Sequence, residues 1–428
     1  MQVLMLSWEY PPFSVGGLAQ HVYELSRAMV KEGAHVEVIT TATSPPYEEL
    51  IDGVVVHRVV PYPGRELNFI SWVQLLNMSM MEKGVSLLNQ AGEFDIIHGH
   101  DWLVTHACQA LKRIFHIPLL ATIHATEYGR NGGLFSEEQK YIGAVEWQLA
   151  YESWKTICCS KFMEEELVAV FDLPRDKIEV VPNGISPESF KVSSPELSSR
   201  ERFASPDEEI VCFVGRLVQE KGVQTLLNAV PIIREQFPRV KFVIAGRGPY
   251  EEELQRQVVN QGLEPHVIFT GYIEDHLRNQ LYYWSSVAAF PSLYEPFGLV
   301  ALEAMAAETP VVVGDSGGFR ETIKHGINGL KSVPGDAVSL AEQICTLLES
   351  RELRNKIKKD ALQDLHDNYT WRSIARKTMN IYRDITNSEE AFIWKKQKGV
   401  PILEEKPSVL PARAMPPLEN KSKHKTIT

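Results

Sequence analysis

The stretch EIVCFVGRLVQEKGV, Glu209 to Val223, decides how the chain is read. Its first half is a nearly unbroken apolar run, the pattern of a strand buried on both faces of a parallel sheet. Its second half leaves the strand at Gly215, carries Arg216 and Lys221, and reaches Gly222 just ahead of QTLLNAVPIIREQFP, a helical pattern. Strand, loop and helix in that order open an α/β unit. This opening comes midway along the chain, after one such unit has already run its course.

Upstream, VLMLS (Val3 to Ser7), HVEVIT, DIIHGH (Asp95 to His100), PLLATIH, KTICCS and IEVVPNG read as strands. Helices alternate with them from about Leu18 to Lys31 and from Trp102 to Phe115. Downstream, VKFVIAGRGP, VIFTGYI, SSVAAFPS and PVVVGDSGG continue the pattern, with helices at EEELQRQVVNQG, Leu299 to Ala307, Ala337 to His366 and Trp371 to Asn387. Between the halves, SPESFKVSSPELSSRERFASPDEE is polar and rich in Ser and Pro, a linker with at most a short helix. The expected fold class is α/β, two doubly wound domains facing across a cleft, with ligands beyond the C-terminal ends of the strands.

Composition narrows the function. With 428 residues, 44% hydrophobic and 23% charged, the chain is long enough for two cores and reads as globular. Its net charge of −11 argues against a nucleic-acid partner. From Trp394 onward there are eight Lys/Arg, three Asp/Glu and five Pro, a basic tail expected to be disordered. No apolar run approaches a membrane span. The N-terminus MQVLMLSWEY lacks the marks of an export signal, and five scattered cysteines form no CxxC pair, so a cytoplasmic protein is expected.

Four places carry chemistry. In WEYPPFSVGGLAQ, Gly16 and Gly17 stand directly before a helix, where backbone N–H groups can approach an anion; the bland alternative is a flexible loop. Arg216 and Lys221 suit a multiply charged phosphate, against the alternative of two surface ions. In YEPFGLVALEAMA, Gly298, Leu299 and Val300 offer free amides at a helix start. There Glu295 and Glu303 bracket the turn, and either both are solvated or both face a polar ligand; Glu303, the lone charge in an otherwise apolar helix, suits a diol. In ATIHATEYGR, His124 ends a strand, a structural or a functional position. His98, His100 and Asp101 end the neighbouring strand, but no HExxH or spaced Cys accompanies them, and no metal site is expected. The absence of GxGxxG and GK[ST] excludes a dinucleotide fingerprint and a P-loop.

Together these motifs resemble the retaining glycosyltransferases of family 4, which have the GT-B architecture of two Rossmann-like domains. The resemblance covers Met1 to Asn387 and rests on Glu295 and Glu303 with seven residues between them, on GRLVQEKG, VPNGI, SVGGLAQHV and FTGYI in family order, and on SWEYPP, GHDW and TIHATEYGR, which look most like the glycogen and starch synthase branch. It implies domains at 1–185 and 210–370 joined by a linker at 186–209, a helix at 371–393 packing back on the first domain, and a tail at 394–428. It implies that Arg216 and Lys221 grip the pyrophosphate of a nucleotide sugar, an ADP- or UDP-sugar, helped by Gly16, Gly17 and the helix start at Gly298 to Val300. Glu303 would hold the ribose, Glu295 the transferred sugar, and His124 the sugar near its C6 hydroxyl, while Asp101 and Asn183 line the cleft. The acceptor implied is an α-glucan, with no metal and no further cofactor. Synthases using ADP-glucose carry Lys two positions before the glycine pair, where this chain has Ser14, so the donor stays open. So do two other readings. One is a lipid, cell-wall or small-molecule acceptor, with Phe69, Ile70, Trp72 and Val73 as an apolar patch or simply a buried helix. The other is a nucleotide-sugar epimerase on the same scaffold.

Overall fold

A computed structural model describes residues 1–13, 16–43, 45–64, 68–90 and 93–397. Ser14 and residues 398–428, most of the basic tail, lie outside the described residues.

The first half forms an eight-stranded sheet. Its strands are β1 (Gln2–Leu6), β2 (His35–Thr41), β3 (Tyr47–Ile51), β4 (Val54–Val59), β5 (Ile96–His100), β6 (Leu119–Ile123), β7 (Lys155–Cys158) and β8 (Ile178–Val180). Their order is β3-β4-β2-β1-β5-β6-β7-β8, parallel except for the β3–β4 hairpin at the edge. The second half forms a six-stranded parallel sheet from β9 (Glu209–Val214), β10 (Val240–Ala245), β11 (Val267–Gly271), β12 (Val287–Phe290), β13 (Val311–Gly314) and β14 (Leu330–Ser332). Its order is β11-β10-β9-β12-β13-β14. The central strands β1, β9, β10, β12 and β13 have interiors of apolar residues with essentially no exposure, as continuous apolar runs require when helices cover both faces.

Each sheet reverses its winding once, between β1 and β5 in the first and between β9 and β12 in the second. At such a switch point the two flanking loops part and leave a crevice at the carboxyl ends of the strands. The loops at these two points follow β1, β5, β9 and β12, and they carry Gly16 and Gly17, Asp101, Arg216 and Lys221, and Glu295.

Four local features depart from the sequence reading. The tail expected to be disordered from Trp394 begins inside a further helix, Glu389–Lys396, whose Trp394 ring lies 4.8 Å from His116 and 5.7 Å from Trp154. The β3–β4 hairpin was not expected; it turns at Asp52 and Gly53, both with positive φ. The expected helix from Trp102 begins as a short 3-10 turn, Trp102–Val104, before the α-helix Thr105–Phe115. The apolar segment at Phe69 opens the helix Phe69–Gln90: Val73 is buried, Trp72 packs edge-on against Trp8, and Phe69 remains 46% exposed.

The chain ends by returning to its first half. Helix Trp371–Thr386 is capped by the Thr370 hydroxyl and carries apolar residues at 371, 374, 375, 379, 382 and 385, one stripe of a helix. That stripe shares a core with Val3, Met5, Val22, Leu25 and Met29 of the first half. Arg372 and Arg376 both bond the Glu32 carboxylate, at 2.7 and 2.6 Å, and Tyr382 meets His98 Nδ1 at 2.7 Å. Trp371 lies so close to Gly184 that a Cβ there would sit 2.5 Å from the indole. Trp371→Ala empties that seat and is expected to lower stability by about 3–5 kcal/mol, measured by urea unfolding.

Candidate active site

The loop after β9 is shaped by its contact with the loop after β12. Gly222 has φ +72°, and a Cβ on it would lie 1.9 Å from the Pro291 carbonyl oxygen, so only glycine lets the two loops touch. In return the backbone N–H of Leu293 donates to Glu220 O at 2.8 Å. This docking brings Lys221 Nζ to Glu295 Oε2 at 2.8 Å, with the Ser292 hydroxyl at 3.3 Å from the same oxygen. Glu295 is only 6% exposed, and a carboxylate so far out of water needs such a partner. Arg216 lies exposed on the same loop with no ion pair among the described residues.

Helix Leu299–Ala306 starts at Gly298, whose φ of +100° and closeness to the Phe319 ring (2.1 Å from a built Cβ) exclude any side chain. Among the described residues the amides of Leu299 and Val300 have no acceptor, so they and the helix dipole remain available to an anion. Opposite them stands the start of helix Gly17–Lys31: a Cβ on Gly17 would be 3.1 Å from Leu299 Cδ1. Two helix N-termini therefore face one another across the cleft. Gly16 is tied down, its N–H donating to Glu9 Oε2 at 3.3 Å. Glu303, one turn along, accepts the Tyr282 hydroxyl at 3.2 Å; burial raises its pKa, with Arg278 opposing. Glu303 and Glu295 do not touch.

On the first half's side, Asp101 and His124 are brought together: Asp101 accepts the His124 backbone N–H at 2.8 Å. His100 Nδ1 lies 3.3 Å from His124 Nε2. His21 crosses from helix Gly17–Lys31 to pack on His124, with ring centroids 4.7 Å apart, and its Nδ1 meets Asn183 Oδ1 at 2.7 Å. Burial, reinforced by Arg130, drops the His124 pKa to about 3, so the imidazole is neutral at ordinary pH. Burial also drops His21, His98 and His100 far below their usual range, each helped by its neighbours. Asp101 is raised to about 6 by burial, with Arg130 opposing.

Residues not singled out from the sequence complete the site. Burial alone would lower the pKa of Arg130, but Asp101, Glu146, Tyr294 and Glu127 together more than offset it. Glu146 caps the Glu127 N–H with both oxygens at 3.0 Å, and burial lifts its pKa to about 8. Tyr294, next to Glu295, donates to Glu166 Oε1 at 2.9 Å across the cleft. His21 was legible in principle, four residues past Gly17 and so one helical turn along the same face. Arg130 and Glu146 are joined only by the fold.

Two α/β units with facing switch points, a cationic loop and opposed helix N-termini define the GT-B glycosyltransferases. The chain matches the family described as Glycosyltransferase Family 4 over residues 15–189 and Glycosyl transferases group 1 over 196–364. It is 39% identical to an uncharacterized glycosyltransferase of Methanocaldococcus jannaschii, covering 90% of this chain and 98% of that one. It is 33% identical to a glycogen synthase of Mycobacterium tuberculosis, covering 94% and 99%. Sucrose-phosphate synthase from Thermosynechococcus elongatus has the same fold, with a TM-score of 0.76 at 24% identity over 90% of this chain and 98% of that one. The chain belongs to this glycosyltransferase family and stands near its glycogen synthase branch.

The buried histidines make stability depend on acid. A histidine neutral in the fold but free to titrate near pH 6.5 when unfolded adds stability above that pH, and the contribution is lost as pH falls. The raised Asp101 and Glu146 act in the opposite sense, so one histidine must be isolated. His98 is removed from solvent and bonds Tyr382 and Thr122. Relative to wild type, His98→Gln should gain about 1.4 kcal/mol per pH unit below pH 6.5 in urea unfolding. A pH-independent difference would contradict the assignment.

Proposed function

We propose that this protein is a retaining hexosyltransferase that moves a sugar, glucose in the first instance, from an ADP- or UDP-sugar to an α-glucan, without a metal ion. The observation that carries the reading is the Lys221–Glu295 pair at the second switch point, beside two unpartnered helix amides. A bound diphosphate offers Lys221 a doubly charged partner. The ammonium then leaves Glu295, and the freed carboxylate accepts hydroxyls of the sugar that follows the phosphates. The pair is thus an internal stand-in: each member holds the place of the ligand group the other will meet.

The rest of the site divides the donor in the same way. Arg216 forks onto phosphate oxygens, and the amides of Leu299 and Val300, with Gly17 opposite, approach the same charge. Glu303 accepts the ribose hydroxyls. His124, neutral and positioned by Asp101, bonds the sugar near its C6 hydroxyl, and Asn183 supports it through His21. As the bond from C1 to the leaving phosphate oxygen breaks, negative charge grows on the diphosphate, where Arg216, Lys221 and the helix dipole are already aimed. The acceptor hydroxyl adds to C1 from the same face, and its proton passes to the departing phosphate oxygen. No separate base is required.

The glucan acceptor is supported by the similarity to glycogen synthase and by a cleft lined with groups suited to hydroxyls. A cytoplasmic setting agrees with five buried, unpaired cysteines. Among the described residues no helix is long and apolar enough to cross a membrane.

The full-length protein, incubated with ADP-glucose, UDP-glucose and other nucleotide sugars in the presence of glycogen and EDTA, is expected to release nucleoside diphosphate and lengthen the glucan. Lys221→Ala should lower kcat by about 10²–10³-fold. Donor turnover without glucan extension would point to another acceptor, and an epimerised donor sugar would replace the transferase reading altogether.

A further inference from the structure

The transfer chemistry asks one imidazole of the first half, His124, to meet a sugar. The fold assembles three. His21 from helix Gly17–Lys31, His100 at the end of β5 and His124 just beyond β6 each present a ring nitrogen, and these nitrogens all lie within 4.8 Å of one another. The elements that bring them together are far apart in sequence and meet only at the first switch point.

The spacing suits coordination better than hydrogen bonding. His100 Nδ1 and His124 Nε2 are 3.3 Å apart. Nitrogens bound at about 2.0–2.1 Å to one tetrahedral metal are themselves about 3.4 Å apart. His21 closes the set with a modest side-chain shift. Its Nδ1 faces the Asn183 carbonyl oxygen at 2.7 Å, which accepts the Nδ1 proton and leaves the other ring nitrogen with a bare lone pair. A carbonyl partner on the far nitrogen is the usual device that orients a metal-ligating histidine.

The donor set selects the class of ion. Three neutral imidazoles and no carboxylate suit Zn²⁺ and its neighbours, whereas Mg²⁺ and Ca²⁺ prefer oxygen. His124 is only half-buried and opens to the cleft, so an ion has an entry path and keeps a fourth position for water or a ligand hydroxyl.

We propose that His21, His100 and His124 form a binding site for a divalent transition metal of the Zn²⁺ class, and that the bound ion takes His124 away from the sugar. The first half of this statement stands on the geometry alone; the second rests on the transferase reading. The ion is an inhibitor here and takes no part in group transfer, so the EDTA-treated enzyme is the active form.

The test begins without any sugar. Full-length protein stripped with EDTA is titrated with Co²⁺ alone and followed by visible absorption. One equivalent should bind with the strong absorption of four-coordinate cobalt, and Zn²⁺ should bleach it. His21→Gln should abolish the signal, and Asn183→Ala should weaken binding about 10–100-fold. Should His21→Gln fail to fold, X-ray absorption of the Zn²⁺-loaded wild type decides, with three imidazole nitrogens expected around the ion. Absent stoichiometric binding, a signal unchanged in folded His21→Gln, or a sulfur ligand overturns the site. In the transfer assay, Zn²⁺ should raise the apparent KM for the donor and Mg²⁺ should not. Zn²⁺ bound at the site with transfer unaffected overturns the inhibitory role, while a protein that transfers nothing still gives a clear answer in the cobalt titration.

Discussion

A carboxylate removed from water must be matched by a cation or by donors, and the arrangement of this molecule follows from meeting that demand at Glu295. Its partner, Lys221, sits on a different loop, so the loops after β9 and β12 must dock. Docking leaves no room for a side chain at Gly222, and the turn that carries Glu295 into helix Leu299–Ala306 leaves none at Gly298. The strand order supplies the rest: β9 and β12 are neighbours at the point where the winding reverses, so both loops leave the same end of the sheet side by side and can hold the pair between them. A single electrostatic requirement thus links the glycine pattern, the sheet topology and the position of the site.

The same logic separates what could be read from the residues from what could not. The sheets were legible because both faces of their strands are buried, which forces runs such as EIVCFV and VKFVIA that a surface strand would not tolerate. Lys221 and Glu295 were legible as cleft residues because each lies on the loop that leaves such a run. Their contact with each other was not, since nothing in a loop sequence states which neighbouring loop it will meet. His21 was hidden for another reason: on an amphipathic helix it occupies an inward position and reads as one more core residue. Glu146 was hidden inside a helix among several other acidic residues, and only the fold sets it against Arg130 and the Glu127 amide. The β3–β4 hairpin is legible in the residues, because Asp52-Gly53 between two β-rich runs is a strong two-residue turn signal.

The two halves of the site differ in electrostatic character. The second half presents cations and helix N-termini, a place for formal negative charge. The first presents a nest of imidazoles kept neutral by burial, able to exchange hydrogen bonds with hydroxyls without adding charge. A donor with a charged diphosphate at one end and a neutral sugar at the other finds the corresponding environment on each side of the cleft.

The cleft is also spanned by a borrowed cap. Helix Lys161–Phe171 of the first half begins with the Lys161 and Phe162 amides donating to the Glu321 carboxylate of the second, at 3.0 and 2.9 Å. Just ahead of it, the Ser160 hydroxyl accepts the Met163 N–H and donates to the Pro296 carbonyl at 2.7 Å. A helix end completed by another domain is a matched interface, one that cannot be inherited in pieces. Recombination that exchanged one half of this chain for its counterpart in a relative would separate the helix from the carboxylate that finishes it. The two halves are therefore bound to change together, and the unit on which selection acts is the whole pair.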